Sequence, residues 1–208
     1  MFRVFNNPVI ALLGVCLIAG CASLSTDDDK TDVVAGADVD VTGAPSWAQS
    51  AYKRALNAIE KEKYDQAEAN LIEIVAKLPE LAGPHANLGI VYARTERPDL
   101  AEQAFVEALA LNPKSKQTHN EMGVLLRQTG HFAEAEQAYK NAIKLDADYA
   151  IAHHNLGVLY DLYLSRPQQA LKHYRRYVQL EPKSEEMVGK WIKDLDRRFP
   201  SSGQTDES

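Results

Sequence analysis

The fold is decided by residues 87–113, which read NLGIVYARTERPDLAEQAFVEALALNP. The pattern returns 34 residues later, where residues 121–147 read EMGVLLRQTGHFAEAEQAYKNAIKLDA. Both stretches carry a glycine, Gly89 or Gly123, and an aromatic residue 16 positions further on, Phe105 or Tyr139. Self-similarity at a fixed period of about 20–50 residues is the signature of a repeat architecture. The chain is therefore expected to consist of stacked copies of one small unit.

The same period extends in both directions from this stretch. Downstream, Gly157 continues it, and one extra residue precedes Ala170 and Tyr174. Upstream, Ala55 and Leu71 occupy the equivalent places. We therefore predict four units in register, at residues 48–81, 82–115, 116–149 and 150–184.

This pattern resembles the tetratricopeptide repeat, in which two antiparallel helices form one unit. The resemblance covers about two thirds of the chain and implies an all-α superhelix of four helix-turn-helix repeats. Gly89, Gly123 and Gly157 would allow the first helix of a unit to approach its second helix closely. Pro113 and Pro182 stand where a second helix is expected to end, because proline cannot continue it.

The two ends of the repeat array carry signals of their own. Ser46-Trp47-Ala48-Gln49 has the form of a capping box, which predicts the start of the first helix. Residues 185–199 carry apolar side chains at i, i+4 and i+8, which predicts an amphipathic helix. Stacked repeats leave an apolar end that must be covered, so we predict a capping helix there and a flexible tail at 200–208. A helix that binds a membrane or a partner is the alternative.

The first 20 residues have the organisation of a secretory signal peptide. Arg3 precedes an uncharged, mostly apolar stretch at residues 9–20, which is shorter than the roughly 20 residues that span a bilayer. Residues 17–21, LIAGC, resemble the lipobox of bacterial lipoproteins. The resemblance implies that residues 1–20 are removed and that the thiol of Cys21 carries a diacylglyceryl group. An uncleaved hydrophobic anchor is the alternative interpretation.

Residues 21–46 are predicted to be a flexible tether behind this lipid. Residues 22–46 hold six aspartates and one lysine, with no helical or alternating period. The net charge of the whole chain is −6, and most of this acidity belongs to the ends. A chain without a basic excess is not expected to bind nucleic acid. In the lipoprotein pattern an aspartate after the cysteine favours the inner membrane, so Ala22 implies the outer membrane, facing the periplasm.

Few residues of the repeat array suggest chemistry. His85, His119 and His153 recur at the repeat period. Stacked helices lie about 8–10 Å apart, whereas a zinc–nitrogen bond is about 2 Å long, so we interpret these histidines as packing residues and predict no metal site. The only cysteines are Cys16, inside the signal peptide, and Cys21. We predict a protein that is not an enzyme and has no cofactor beyond its lipid, with an enzyme or a solute-binding protein as the alternative.

In the tetratricopeptide family the first helices line a concave groove that binds partner segments. The resemblance places Asn87 and Asn155 where some members hold an extended peptide with a ladder of asparagines, whose amides both donate and accept hydrogen bonds. Glu121 replaces the middle rung, with Asn120 beside it. The spacing i, i+3, i+7 puts the other groove candidates on the same helix faces. These candidates are Lys53, Leu56, Glu60, Ile90, Arg94, Val124, Gln128, Val158 and Leu162.

Small repeat lipoproteins of this architecture resemble pilotins, which help the secretin rings of type IV pili to assemble. We therefore predict a lipid-anchored scaffold that binds a periplasmic or outer-membrane protein and assists assembly of an envelope complex. That complex would belong to a type IV pilus, a secretin or a motility machinery. An adaptor for peptidoglycan enzymes or polysaccharide export, and a protein that only self-associates, are the alternatives.

Overall fold

The computed structural model describes residue 41 and residues 43–200. Within this part of the chain there are nine α-helices and no strand. The helices are α1 Ser46–Glu60, α2 Tyr64–Lys77, α3 Ala82–Arg94, α4 Pro98–Leu111, α5 Lys116–Gln128, α6 Phe132–Leu145, α7 Ala150–Val158, α8 Pro167–Leu180 and α9 Glu185–Arg198. A π turn, Leu159–Tyr163, continues α7, and a 3₁₀ turn, Pro182–Ser184, precedes α9. The predicted all-α fold is confirmed.

The helices pack as four successive pairs. The partners within the pairs are α1 with α2, α3 with α4, α5 with α6, and α7 with α8. The second helix of each pair also packs against the first helix of the next, and α9 covers α8. Each unit therefore contacts only its neighbours, as expected for a tetratricopeptide superhelix with a C-terminal capping helix.

Close approach of the two helices within a unit depends on glycine. A Cβ atom placed on Gly89 would lie 2.5 Å from Cε1 of Phe105, and one on Gly123 would lie 2.6 Å from Cε1 of Tyr139. These distances leave no room for a side chain, so the aromatic ring of the second helix packs directly on the backbone of the first. The first unit has the smaller Leu71 in place of the ring, and its first helix accommodates Ala55.

The turn between the helices of each unit uses one residue in the left-handed backbone region. This residue is Glu62, Glu96, Gly130 or Ser165, with φ of 56°, 58°, 84° and 52°. The position recurs at the repeat period except before Ser165, where it falls one residue later. The left-handed conformation reverses the chain tightly enough for the second helix to return along the first.

The π turn accommodates the extra residue of the fourth unit. In the second unit the amide of Thr95 donates to the carbonyl of Val91, four residues back. The equivalent amide, Leu164, donates to the carbonyl of Leu159, five residues back. A π turn holds one residue more than an α turn, so α8 keeps the register of the other second helices.

The predicted capping box at Ser46 is wrong. Pro45, with φ −54° and ψ 147°, occupies the N-cap position, and Ser46 already lies inside the helix. No side chain caps α1 at this position, and the side-chain amide of Gln49 instead donates to the carbonyl of Ala44 at 2.8 Å. The fixed φ of proline moved the helix start one residue upstream of the predicted first turn.

Several predicted segments lie outside the described residues. They are the signal peptide at 1–20, the lipidation site Cys21, almost all of the tether at 21–46 and all but the first residue of the tail at 200–208. Among the helices that the structure describes, none combines the length and the apolar character needed to cross a bilayer.

Candidate partner-binding groove

The first helices of the units form the surface that we call the groove. Helix α1 contacts α3, α3 contacts α5, and α5 contacts α7, so the four first helices lie side by side. The predicted groove residues differ in how far they reach solvent. Lys53, Glu60, Gln128 and Leu162 are exposed; Leu56, Arg94, Glu121 and Val158 are half-buried; Asn87, Ile90, Asn120, Val124 and Asn155 are buried.

The buried asparagines Asn120 and Asn155 hydrogen-bond to each other between units. Nδ2 of Asn155 donates to Oδ1 of Asn120 at 3.0 Å, and Nδ2 of Asn120 donates to Oε1 of Glu121 at 3.1 Å. Both side chains are at most 1% exposed. In this arrangement they connect α5 with α7, so the sequence correctly brought them together but did not foresee their pairing.

Asn87 is buried in a different way. Its Nδ2 donates to the phenol oxygen of Tyr52 at 2.7 Å and to the carbonyl of Gly83 at 3.0 Å. Burial raises the pKa of Tyr52, and the hydrogen bond from Asn87 opposes this shift only in part, so Tyr52 stays a neutral phenol. Oδ1 of Asn87 has no hydrogen-bond partner among the described residues. A buried carbonyl oxygen without a donor costs stability, which makes this atom an acceptor for an incoming N–H group.

The fourth unit adds an apolar patch that sequence reasoning identified only in part. Leu162 is 69% exposed, and the adjacent Tyr163 is 41% exposed. The Tyr163 ring packs against Phe132 of the third unit, with 5.0 Å between the ring centroids, and the guanidinium of Arg127 lies 5.7 Å from its centroid. Tyr163 was missed because the π turn shifts the side chains that follow it around the helix. The extra residue in the fourth unit was the only signal of this shift.

The repeated histidines have one structural role. Nε2 of His85, His119 and His153 lies 2.9, 3.1 and 3.1 Å from the carbonyl oxygen six residues upstream. Each histidine thus ties the start of a unit to the connection before it. Within the described residues no group of three or more His, Cys, Asp or Glu side chains could hold a metal ion.

One histidine pair stands apart from this pattern. Nδ1 of His153 lies 3.0 Å from Nδ1 of His173, on α8. Burial lowers the pKa of His173 to about 4, and the neighbouring His153 adds to the shift. The pair is therefore neutral at pH 7 and joins the two helices of the fourth unit as a packing contact.

Ion pairs connect successive units at equivalent places. The guanidinium of Arg97 donates to both carboxylate oxygens of Glu68, at 2.9 and 2.7 Å, and Arg166 donates to Glu136 at 3.0 Å. The hydrogen bonds from Arg97 hold the pKa of Glu68 below its ordinary value. In both pairs the arginine begins the second helix of one unit, and the glutamate belongs to the second helix of the unit before.

Comparison with known families identifies the repeat. A model described as tetratricopeptide repeat matches residues 82–115, and a model described as TPR repeat matches residues 123–161. The first of these ranges coincides with the range that the sequence predicts for the second unit. No curated protein matches the chain.

Solved structures share the fold at low identity. The structure described as functional characterization of Pseudomonas aeruginosa pilF is 23% identical, with a TM-score of 0.67, over 73% of this chain and 68% of that chain. YrrB, described as a TPR protein with an unusual peptide-binding site, is 24% identical, with a TM-score of 0.59, over 71% and 74%. The first TPR domain of Spaghetti, bound to an HSP90 peptide, is 21% identical, with a TM-score of 0.53, over 58% and 96%. At these identities the likeness establishes the fold.

Proposed function

Because the chain is built of tetratricopeptide repeats, we propose that it is a non-enzymatic scaffold that binds a protein partner along the groove. The observation that carries the proposal is the line of first helices, which brings candidate side chains from all four units onto one surface. These side chains mix charge, amide and apolar character, from Lys53 and Glu60 at one end to Leu162 at the other. Such a surface suits a peptide segment better than a reaction, since no nucleophile with an adjacent base is among the candidates.

An extended segment of the partner is the form of ligand that we propose. The unpaired oxygen of Asn87 would accept a backbone N–H of that segment. Exposed Leu162 and Tyr163 would receive an apolar side chain of the same segment. Two of the structurally similar proteins are described with a bound peptide or a peptide-binding site, which supports the same kind of ligand here.

Photo-crosslinking in cells tests this proposal even while the partner is unidentified. We expect benzoylphenylalanine at position 162 of the full chain to form a discrete adduct with a partner, because Leu162 lies on the groove. The matched control is position 106, where Val106 is 52% exposed on the second helix of its unit. Adducts are detected by gel shift and identified by mass spectrometry. Equal crosslinking at the two positions, or crosslinking only at 106, would contradict the groove.

The proposed location is the outer membrane, with the repeats facing the periplasm and the lipid on Cys21. Support comes from the apolar stretch at 9–20 and the LIAGC sequence at 17–21. A diacylglyceryl group supplies two acyl chains, and stable anchoring takes more than one chain. The pathway that we propose is assembly of an envelope complex such as a type IV pilus secretin or a motility machinery. The fold shared with pilF supports this choice, and the partner found by crosslinking would separate it from a peptidoglycan or polysaccharide-export adaptor.

Cys21→Ser is expected to move the protein from the membrane fraction to the soluble fraction, because serine offers no thiol for the lipid. The chain supplies its own control, since Cys16 lies in the segment that is removed. Cys16→Ser should leave the fractionation as in the wild type. Fractionation of cell extracts with detection by immunoblot measures both. Membrane retention of the Cys21→Ser variant would refute the lipid anchor.

A further inference from the structure

The outward face of the first unit is polar where the other units are apolar. Leu88 and Val91 pack on the preceding unit and are buried, as are Met122 and Leu125, and Leu156 and Leu159, in the following units. The equivalent residues of the first unit are Arg54 and Asn57, both exposed. No repeat precedes this unit, and terminal units of a solenoid need a polar outer face. We call this surface, which includes Lys61 and Lys63, the end face.

The end face contains a cleft between α1 and α2 with a volume of about 500 Å³. Four of its lining residues are cations, namely Lys53, Arg54, Lys61 and Lys63, and none is acidic. The other lining side chains carry hydroxyl, amide or methyl groups. Clustered cations in a cleft without carboxylates attract an anion and repel one another in its absence.

The repeat pattern indicates what kind of anion fits. Lys63 begins α2 at the place where Arg97 begins α4 and Arg166 begins α8. Arg97 and Arg166 each bind a glutamate on the second helix of the preceding unit. Lys63 has no preceding unit, and neither Lys61 nor Lys63 forms an ion pair or a side-chain hydrogen bond within the described residues. The end face therefore repeats half of an interaction whose other half is a carboxylate.

We propose that the end face binds an acidic segment of a partner protein, whose glutamates or aspartates occupy the place that Glu68 and Glu136 have between stacked units. The lysine ammonium groups donate to the carboxylates, and the amide side chains of the cleft serve the backbone of the segment. This surface is separate from the line of groove residues tested at position 162. The inference therefore goes beyond the groove and does not depend on the lipid anchor.

The test uses the purified full chain and a short fluorescein-labelled glutamate-rich peptide, with its glutamine counterpart as the neutral probe. We expect the acidic peptide to bind, and Lys61→Gln with Lys63→Gln to weaken its binding about fivefold, which corresponds to about 1 kcal/mol for two exposed ion pairs. Lys172→Gln with Lys190→Gln is the matched control, since it removes two exposed lysines of the last helices. Fluorescence anisotropy gives the dissociation constants, and thermal melts verify that both variants fold.

Four results would overturn the proposal. Equal binding of the acidic and neutral peptides, or equal weakening by the two lysine pairs, would leave no specific role for the end face. Inorganic phosphate or phosphatidylglycerol vesicles that bind through Lys61 and Lys63, when the peptide does not, would assign the cleft to phosphate groups. Peptide binding that tightens when the six aspartates of residues 22–46 are changed to asparagine would assign the cleft to the chain's own acidic segment.

Discussion

Gly123→Leu is expected to lower the free energy of unfolding by about 3 kcal/mol, as overpacking of a close helix contact does. The first added atom, Cβ, would already lie 2.6 Å from the Tyr139 ring, and the rest of the leucine side chain has nowhere to go. Leucine favours a helix over glycine by about 1 kcal/mol, but this gain is smaller than the steric cost. Denaturant unfolding followed by circular dichroism measures the difference.

Gly189→Leu supplies the control for this prediction. A Cβ atom on Gly189 would lie 3.5 Å from Cγ of Glu185, an ordinary contact, so helix propensity alone should raise stability by roughly 0.5–1 kcal/mol. A double-mutant cycle then tests the partner: Gly123→Ala should cost less when Tyr139→Leu is present, because Ala with Leu reproduces the pair at Ala55 and Leu71. Similar losses from both glycines, or no coupling to Tyr139, would show that the ring does not require the glycine.

The helix pairs could be predicted from the sequence because the interactions that define them recur at fixed spacing. Gly123 and Tyr139 lie 16 residues apart, and so do Gly89 and Phe105, because one hairpin of fixed length brings them together. In the fourth unit the spacing is 17, and the π turn accommodates the difference. A contact within one hairpin is local, so a single sequence contains all the information that it needs.

The groove could be predicted only in part because it forms between units. Helical spacing correctly assigned Asn87 and Asn155 to one face of α3 and α7, but their burial depends on how closely the neighbouring first helices pack. Tyr52 and Asn120 come from those neighbours, 35 residues upstream of each asparagine. Arg54 likewise departs from the repeat pattern for a reason that only stacking explains, since its apolar counterparts contact a preceding unit that the first unit lacks.

The second large effect is expected at the other end of the array, where Leu195→Asp should lower the free energy of unfolding by about 3–5 kcal/mol, the cost of an uncompensated buried charge. Leu195 is 1% exposed and belongs to the apolar cluster with Val188, Leu171 and Tyr174. A carboxylate there has no cation within the cluster to pair with. For a domain of this size the loss corresponds to a decrease of roughly 10 °C in Tm.

Met187→Asp tests whether the effect belongs to the buried face of α9. Met187 is 46% exposed on the same helix, so its replacement should change Tm by no more than about 2 °C. The comparison also separates two interpretations of this amphipathic helix. A helix reserved for a membrane or a partner would tolerate Leu195→Asp in the isolated protein and lose only its binding. A capping helix cannot tolerate it, because Trp191 packs on Tyr174, with 5.5 Å between the ring centroids, and detaching α9 would expose the last repeat to water.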